Sequence, residues 1–201
     1  MHTFEFQRTA ALPDKKALPG LGLMVAVVAI VASTVLSAVQ AFYVEGSSMA
    51  PTLHNGQLVI VNKVAYWRLD ESPLAKVLSD GRTGTPLYLF GGPHRGDIIV
   101  FQAPTTLEDG DYVKRLIGLP GDTVLVQAGR VIVNGQPLDE AYIKFPDDYT
   151  YPTGGTPLRV PEGAYFVLGD NRGASVDSHL GWFVPADNLV GPGLALPLAI
   201  G

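Results

Sequence analysis

The sequence predicts a mainly β protein that carries one N-terminal transmembrane helix, and three observations lead there. Hydrophobic residues make up 47% of the 201 positions, but they are concentrated: no Asp, Glu, Lys or Arg occurs between Ala17 and Val44. Beyond that run, short apolar stretches alternate with turn residues, and no segment repeats at a convincing helical period. The 23 Gly and 16 Pro exceed ordinary usage without forming a repeat, which favours a turn-rich β domain over a helical bundle.

The first element is the anchor. Leu21 to Val39 is almost purely aliphatic and small, and at about 1.5 Å per residue it spans the roughly 30 Å hydrocarbon layer as a helix. Arg8, Lys15 and Lys16 precede the run, Glu45 is the first charge after it, and the next basic residue is Lys63. The positive-inside bias therefore predicts a single pass, with residues 1–17 cytoplasmic, residues 18–41 in the bilayer and residues 42–201 on the far side, and the membrane expected is the plasma membrane, although the sequence does not distinguish a bacterial from an organelle membrane. A cleaved signal peptide is the competing reading, because Val39-Gln40-Ala41 has small-x-small character. The run is longer than the about 7 to 15 apolar residues usual in such a leader.

Five short runs then read as strands: Leu58 to Val61, Asp97 to Phe101, Thr123 to Val126, Arg130 to Val133, and Tyr165 to Leu168. Ala128-Gly129 and Asn134-Gly135 mark tight turns, the first of which joins the third and fourth runs as a hairpin. Residues 68–92 and 145–161 mix charges, Pro, Gly and aromatics and read as long loops, the first with one short helix around Pro73 to Leu78. The expected fold is antiparallel β throughout the part after the anchor.

Composition excludes several functions. The formal net charge of −5, with the acidic excess lying after the apolar run, argues against a nucleic-acid partner. With no Cys there is no disulfide framework, thiol nucleophile or Cys-based metal site, and His2, His54, His94 and His179 never stand at metal-ligand spacing. No metal and no cofactor are expected.

A hydroxyl nucleophile needs a base. Ser48 lies in Gly46-Ser47-Ser48-Met49-Ala50, which is not the elbow of the hydrolases, and the nearest histidine, His54, sits in what reads as an exposed turn. The segment Asp111 to Ile117 offers another base. As a strand it puts Tyr112, Lys114 and Leu116 on one face and Val113, Arg115 and Ile117 on the other. Both cations could snorkel to water. Alternatively a desolvated lysine loses its proton near neutral pH, which an arginine cannot do. The polar loop Gly169 to His179, directly after an apolar run, is either a capped turn or a support for catalytic groups.

Family-specific residues decide among these. Ser48-Met49-Ala50-Pro51-Thr52-Leu53 resembles the S-M-x-P-T-L signature of type I signal peptidases, membrane-bound Ser/Lys proteases that remove signal peptides from exported preproteins. Three more blocks follow in that family's order: Arg95 to Phe101, Asp111 to Asp122, and Gly169 to Ser178. The resemblance spans about Phe42 to Gly191. It implies Ser48 as nucleophile and Lys114 as general base, with Ser175 hydrogen-bonded to the lysine and Asp177 bracing the site. Asp170 and Arg172 hold the loop, and Val44 and Val113 line shallow pockets for small substrate side chains. It also implies an antiparallel β catalytic core with a smaller β insertion at about residues 123–160.

Some positions depart from the family pattern. Gly46 stands where some members carry a hydroxyl that completes the oxyanion hole. Gly173-Ala174 replaces a common Asp-Asn or Asn-Asn, and His179 replaces a common Arg, so weaker ion pairs are expected in that loop. Residues 68–92 exceed the usual linker, and Trp67, Tyr88 and Phe90 are candidates for contact with the lipid bilayer. Two alternatives keep the same scaffold. One is a specialised relative that matures a single dedicated substrate, the other an inactive membrane-tethered β module that binds extended peptides.

Overall fold

The computed structural model describes residues 18–68, 88–105, 107–143 and 148–197. The chain divides into two units, Met1–Ser37 and Ala38–Gly201. The first contains one helix, α1 (Leu18–Ser37), with no charge in its sequence. Every residue from Gly22 to Thr34 is exposed, including Leu23, Met24, Val28 and Ile30. Counting only residues whose side chains are described, no helix is long and apolar enough to cross a membrane. The expected cytoplasmic segment, residues 1–17, lies outside the described residues.

The helix ends earlier than residue 41. The hydroxyls of Thr34 and Ser37 donate back to the carbonyls of Ile30 and Thr34 at 2.8 and 2.9 Å, local bonds that compete with continuing the helix. Val39–Tyr43, rich in β-branched and aromatic residues, becomes the first strand, β1. Val39 to Ala41 therefore belong to the β unit and not to the helix.

Among the described residues the second unit contains ten further strands. They are β2 (Leu58–Asn62), β3 (Ile98–Gln102), β4 (Asp111–Gly118), β5 (Thr123–Gln127), β6 (Arg130–Val133), β7 (Gln136–Pro137), β8 (Leu158–Arg159), β9 (Ala164–Leu168), β10 (Val184–Pro185) and β11 (Leu189–Ala195). The larger sheet has the order β1-β2-β11-β3-β4-β9-β10, and the smaller β7-β6-β5-β8. All pairings are antiparallel. The five apolar runs singled out in the sequence are β2, β3, β5, β6 and β9. The two left-handed pairs, Ala128-Gly129 and Asn134-Gly135, close the β5–β6 and β6–β7 hairpins.

Of the strands that the pattern missed, β1 overlaps the expected anchor, β7, β8 and β10 have two residues each, and β11 is interrupted. β11 reads Leu-Val-Gly-Pro-Gly-Leu-Ala, which local propensity marks as a breaker. It is a central strand because its glycines allow a close approach: a Cβ at Gly191 would lie 2.3 Å from the Asn62 carbonyl oxygen.

Three apolar clusters hold the unit together. Val44, Met49, Leu53, Val59, Val61 and Val100 pack beneath the loop after β1. Ile117, Phe166 and Leu168 from the larger sheet pack against Val124, Val126, Val131 and Val133 from the smaller one. The third is built around Phe101, Tyr165 and Trp182 and includes Tyr66. Tyr88 lies against this cluster, with its hydroxyl 2.5 Å from that of Tyr165, so its hydroxyl faces the core and not lipid. Trp67 and Phe90 remain exposed, at 53% and 67%. Arg68 and Tyr88 form a bridge at the base of the first long loop. The helix expected at Pro73 to Leu78 lies outside the described residues.

Candidate active site

Ser48 sits on the turn that leaves β1. Two backbone bonds tie the start of that turn to its end, Val44 N–H to Gln57 O at 2.9 Å and Gly56 N–H to Val44 O at 2.8 Å. Met49 and Leu53, 1% and 0% exposed, anchor it in the core beneath. Gly46, at φ +84°, turns the chain in the left-handed region and donates its N–H to Asn55 Oδ1 at 2.9 Å. His54 is exposed, as the sequence suggested.

Lys114 lies in β4 opposite Ile99 of β3. Its Nζ donates to Ser48 Oγ at 2.9 Å and to the Val113 carbonyl at 3.0 Å. The residue is 4% exposed. Burial pulls its pKa from 10.5 down to about 8, against the charges of Asp177 and Asp170, which raise it. About a tenth of the amine is therefore neutral at pH 7, and the fraction grows as pH rises through about 8.

β4 has unequal neighbours. β3 pairs along Asp111 to Arg115, whereas β9 pairs only from Arg115 onward, opposite Leu168. Among the described residues the edge from Asp111 to Lys114 is thus open on the β9 side. It borders a cleft of about 530 Å³ whose lining includes Val44, Ser48, Tyr112, Val113, Lys114 and Val176. Val44 and Val113 both face this cleft.

The loop after β9 is stitched to the serine turn. Asn171 donates its backbone N–H to Ser48 O at 3.0 Å and its Nδ2 to Ser47 O at 3.1 Å. Asp177 is fully buried. It accepts from Gly169 N–H at 2.8 Å and from His179 N–H at 3.2 Å, and His179 Nδ1 lies 2.6 Å from it. His179 thus still engages the carboxylate where the family commonly has Arg. Asp170, also fully buried, is held bidentately by Arg115, Nε to Oδ1 at 2.8 Å and Nη2 to Oδ2 at 2.6 Å. Arg172 donates Nε to Gly169 O at 3.1 Å and pairs with Glu140.

Ser175 is near this network without joining it. Its Oγ is buried and has no hydrogen-bond partner, so the bond to the lysine implied by the family pattern is not formed. The hydroxyl instead abuts Gly169, where an added Cβ would come within 2.2 Å of it. Only glycine lets the two loop segments cross this closely.

Several residues escaped the sequence reading. Arg115 does not snorkel; it is 9% exposed and pairs through both arms with the buried Asp170. Its place directly after Lys114, on the opposite strand face, was the available signal. Asn171 lay in the singled-out loop but its bonds to Ser47 and Ser48 were not legible, and Glu140 and Tyr142 gave no signal, because the arginines they meet, Arg172 and Arg115, are distant in sequence.

The chain is similar in sequence to known proteins. A family profile described as signal peptidase, peptidase S26, matches residues 19–195. Signal peptidase I of Leptolyngbya laminosa is 39% identical over 158 residues, 76% of this chain and 65% of that protein. Signal peptidase I of Bacillus caldolyticus is 37% identical over 174 residues, 82% of each chain. The crystal structure of a signal peptidase I from Enterococcus faecalis is 38% identical, covering 51% of this chain and 97% of that one with a TM-score of 0.44. The chain spans just under two thirds of the length of the Leptolyngbya protein. On the extent of the profile match and the identity to these relatives, the chain belongs to the signal peptidase S26 family.

Proposed function

We propose that this protein is a membrane-anchored serine endopeptidase that removes signal peptides from exported preproteins, with Ser48 as nucleophile and Lys114 as general base. One observation carries the reading: a buried amine with a depressed pKa stands 2.9 Å from a serine hydroxyl at the wall of an open cleft. Neutral Lys114 accepts the Ser48 proton as Oγ attacks the scissile carbonyl. The resulting ammonium protonates the leaving amine, and water then hydrolyses the acyl-enzyme by the same route. The backbone N–H of Ser48 is the donor to the oxyanion. Gly46 supplies no hydroxyl, and its own N–H is engaged by Asn55.

An extended substrate adds as a strand along the open edge of β4, its small side chains against Val44 and Val113. Asp170, Arg172 and Asp177 support the dyad from the loop after β9, and Ser175 packs against Gly169 beside them. Uncharged α1, whose aliphatic side chains are exposed over at least Leu23 to Val31, is the anchor in the plasma membrane. The N-terminus is then cytoplasmic and the β unit extracytoplasmic.

The decisive experiment compares the full chain with Ser48→Ala and Lys114→Ala on several unrelated preproteins. Both variants are expected to stay folded and lose cleavage, and the parent rate is expected to rise with pH through about 8, as Lys114 loses its proton. Full activity in either variant overturns the dyad, and turnover of one preprotein alone identifies a dedicated maturase. The anchor is tested separately: the parent should stay in the membrane pellet after alkaline carbonate washing, and release into the supernatant refutes it.

A further inference from the structure

The smaller sheet reaches the active site through two side chains. After β7 the chain makes a turn, Ile143 N–H to Glu140 O at 2.9 Å, which presents Glu140 and Tyr142 on the same side. Tyr142 donates its hydroxyl to Glu140 Oε1 at 2.8 Å, and burial together with the Glu140 charge keeps that hydroxyl protonated. The Glu140 carboxylate forms a two-pronged pair with Arg172, with side-chain exposures of 10% and 2%. The Tyr142 ring lies under the Arg115 guanidinium, 3.8 Å from its centroid.

These two arginines are the ones that hold the loop beside the dyad. Arg172 donates to the Gly169 carbonyl, and Arg115 clamps Asp170. Gly169 in turn gives its N–H to Asp177 and abuts Ser175. An arginine over a ring and an arginine beside a carboxylate each lose rotamer freedom, so the loop is fixed before substrate arrives.

We propose that Glu140 and Tyr142, on the turn leaving the smaller sheet, are positioning residues for catalysis: they orient Arg172 and Arg115, which in turn fix Gly169 and Asp170. This rests on the reading of Ser48 and Lys114 as the dyad. It gives the smaller sheet a role in turnover beyond covering the apolar face of Phe166 and Ile117.

The electrostatic consequence is specific. The charged groups that act on Lys114 are Asp177, faced by His179, and Asp170, faced by Arg115; the Tyr112 ring lies 5.8 Å from Nζ on the same strand. Loosening Arg115 leaves the Asp170 charge less compensated and stabilises the ammonium form of Lys114. The pH at which activity rises then moves upward.

The test uses the full chain in detergent with Glu140→Gln, Tyr142→Leu, and the conservative Glu140→Asp and Tyr142→Phe, at a temperature where each is folded. Glu140→Gln and Tyr142→Leu are expected to lower kcat by roughly tenfold to hundredfold with KM unchanged, because Val44 and Val113 are untouched. Tyr142→Leu is also expected to shift the rate profile, and the Lys114 titration read by 15N NMR, to higher pH. Tyr142→Phe, which keeps the ring, should restore the profile. Variants that lower Tm alone, with parental kcat and parental Lys114 titration, overturn the proposal. Lys114→Ala run alongside separates the two claims: if it cleaves, the dyad reading fails whatever residues 140 and 142 do.

Discussion

Lys114 and Arg115 are neighbours on one strand, both nearly out of water at 4% and 9% exposure, and they solve the burial of a cation in opposite ways. An arginine cannot shed its proton, so its burial requires a counter-charge, and Asp170 meets both arms of the guanidinium. A lysine can shed its proton, and here the Nζ points at a hydroxyl and a carbonyl and, among the described residues, at no carboxylate within bonding distance. Pairing makes Arg115 a permanent fixture, while desolvation makes Lys114 a base. The alternation of a β-strand, which sends adjacent side chains to opposite faces, is what keeps the two environments apart.

The largest break in this comparison is loss of the base. Lys114→Ala is expected to abolish cleavage while Arg115 and its pair stay in place. The next removes the other cation: Arg115→Met leaves Asp170 buried without a counter-ion and is expected to cost about 3–5 kcal/mol in denaturant unfolding. A change within ~1 kcal/mol would show that the pair is not needed to bury Asp170. The smallest is a gain. The folded pKa of Lys114 is about 8 against 10.5 as the unperturbed value, so below pH 8 folding carries the full cost of a buried charge, which disappears as pH rises towards 10.5. Lys114→Met should therefore be more stable than the parent at pH 7, by at most about 3 kcal/mol, and the gap should close towards pH 10.5. A gap that does not change with pH would mean that burial is not what lowers this pKa.

Much of the site was legible because its groups belong to local motifs. Ser48 with its flanking Met and Leu, Lys114 within an alternating strand, and Asp170 to Asp177 after an apolar run are each a few residues of chain that the family resemblance marks, although pattern alone left Lys114 open between snorkelling and acting as a base. The five strands with uninterrupted β-branched or aliphatic runs were legible for the same reason. β11 was not, since its glycines make sense only against Asn62 and Val59, residues distant in the chain.

The sequence by itself determined the uncharged apolar run, the β character of the rest, and the identity of a hydroxyl and an amine able to act as nucleophile and base. Tertiary structure decided that Lys114 Nζ meets Ser48 Oγ across 66 positions of chain, that Val39 leaves the helix for a sheet, and that Ser175 rests against Gly169 instead of the lysine. It also decided that Arg115 is paired and held over the Tyr142 ring. Propensity and periodicity are properties of neighbours in sequence. Desolvation, ion pairing and close backbone approach are properties of neighbours in space, and those set the protonation state on which the proposed chemistry depends.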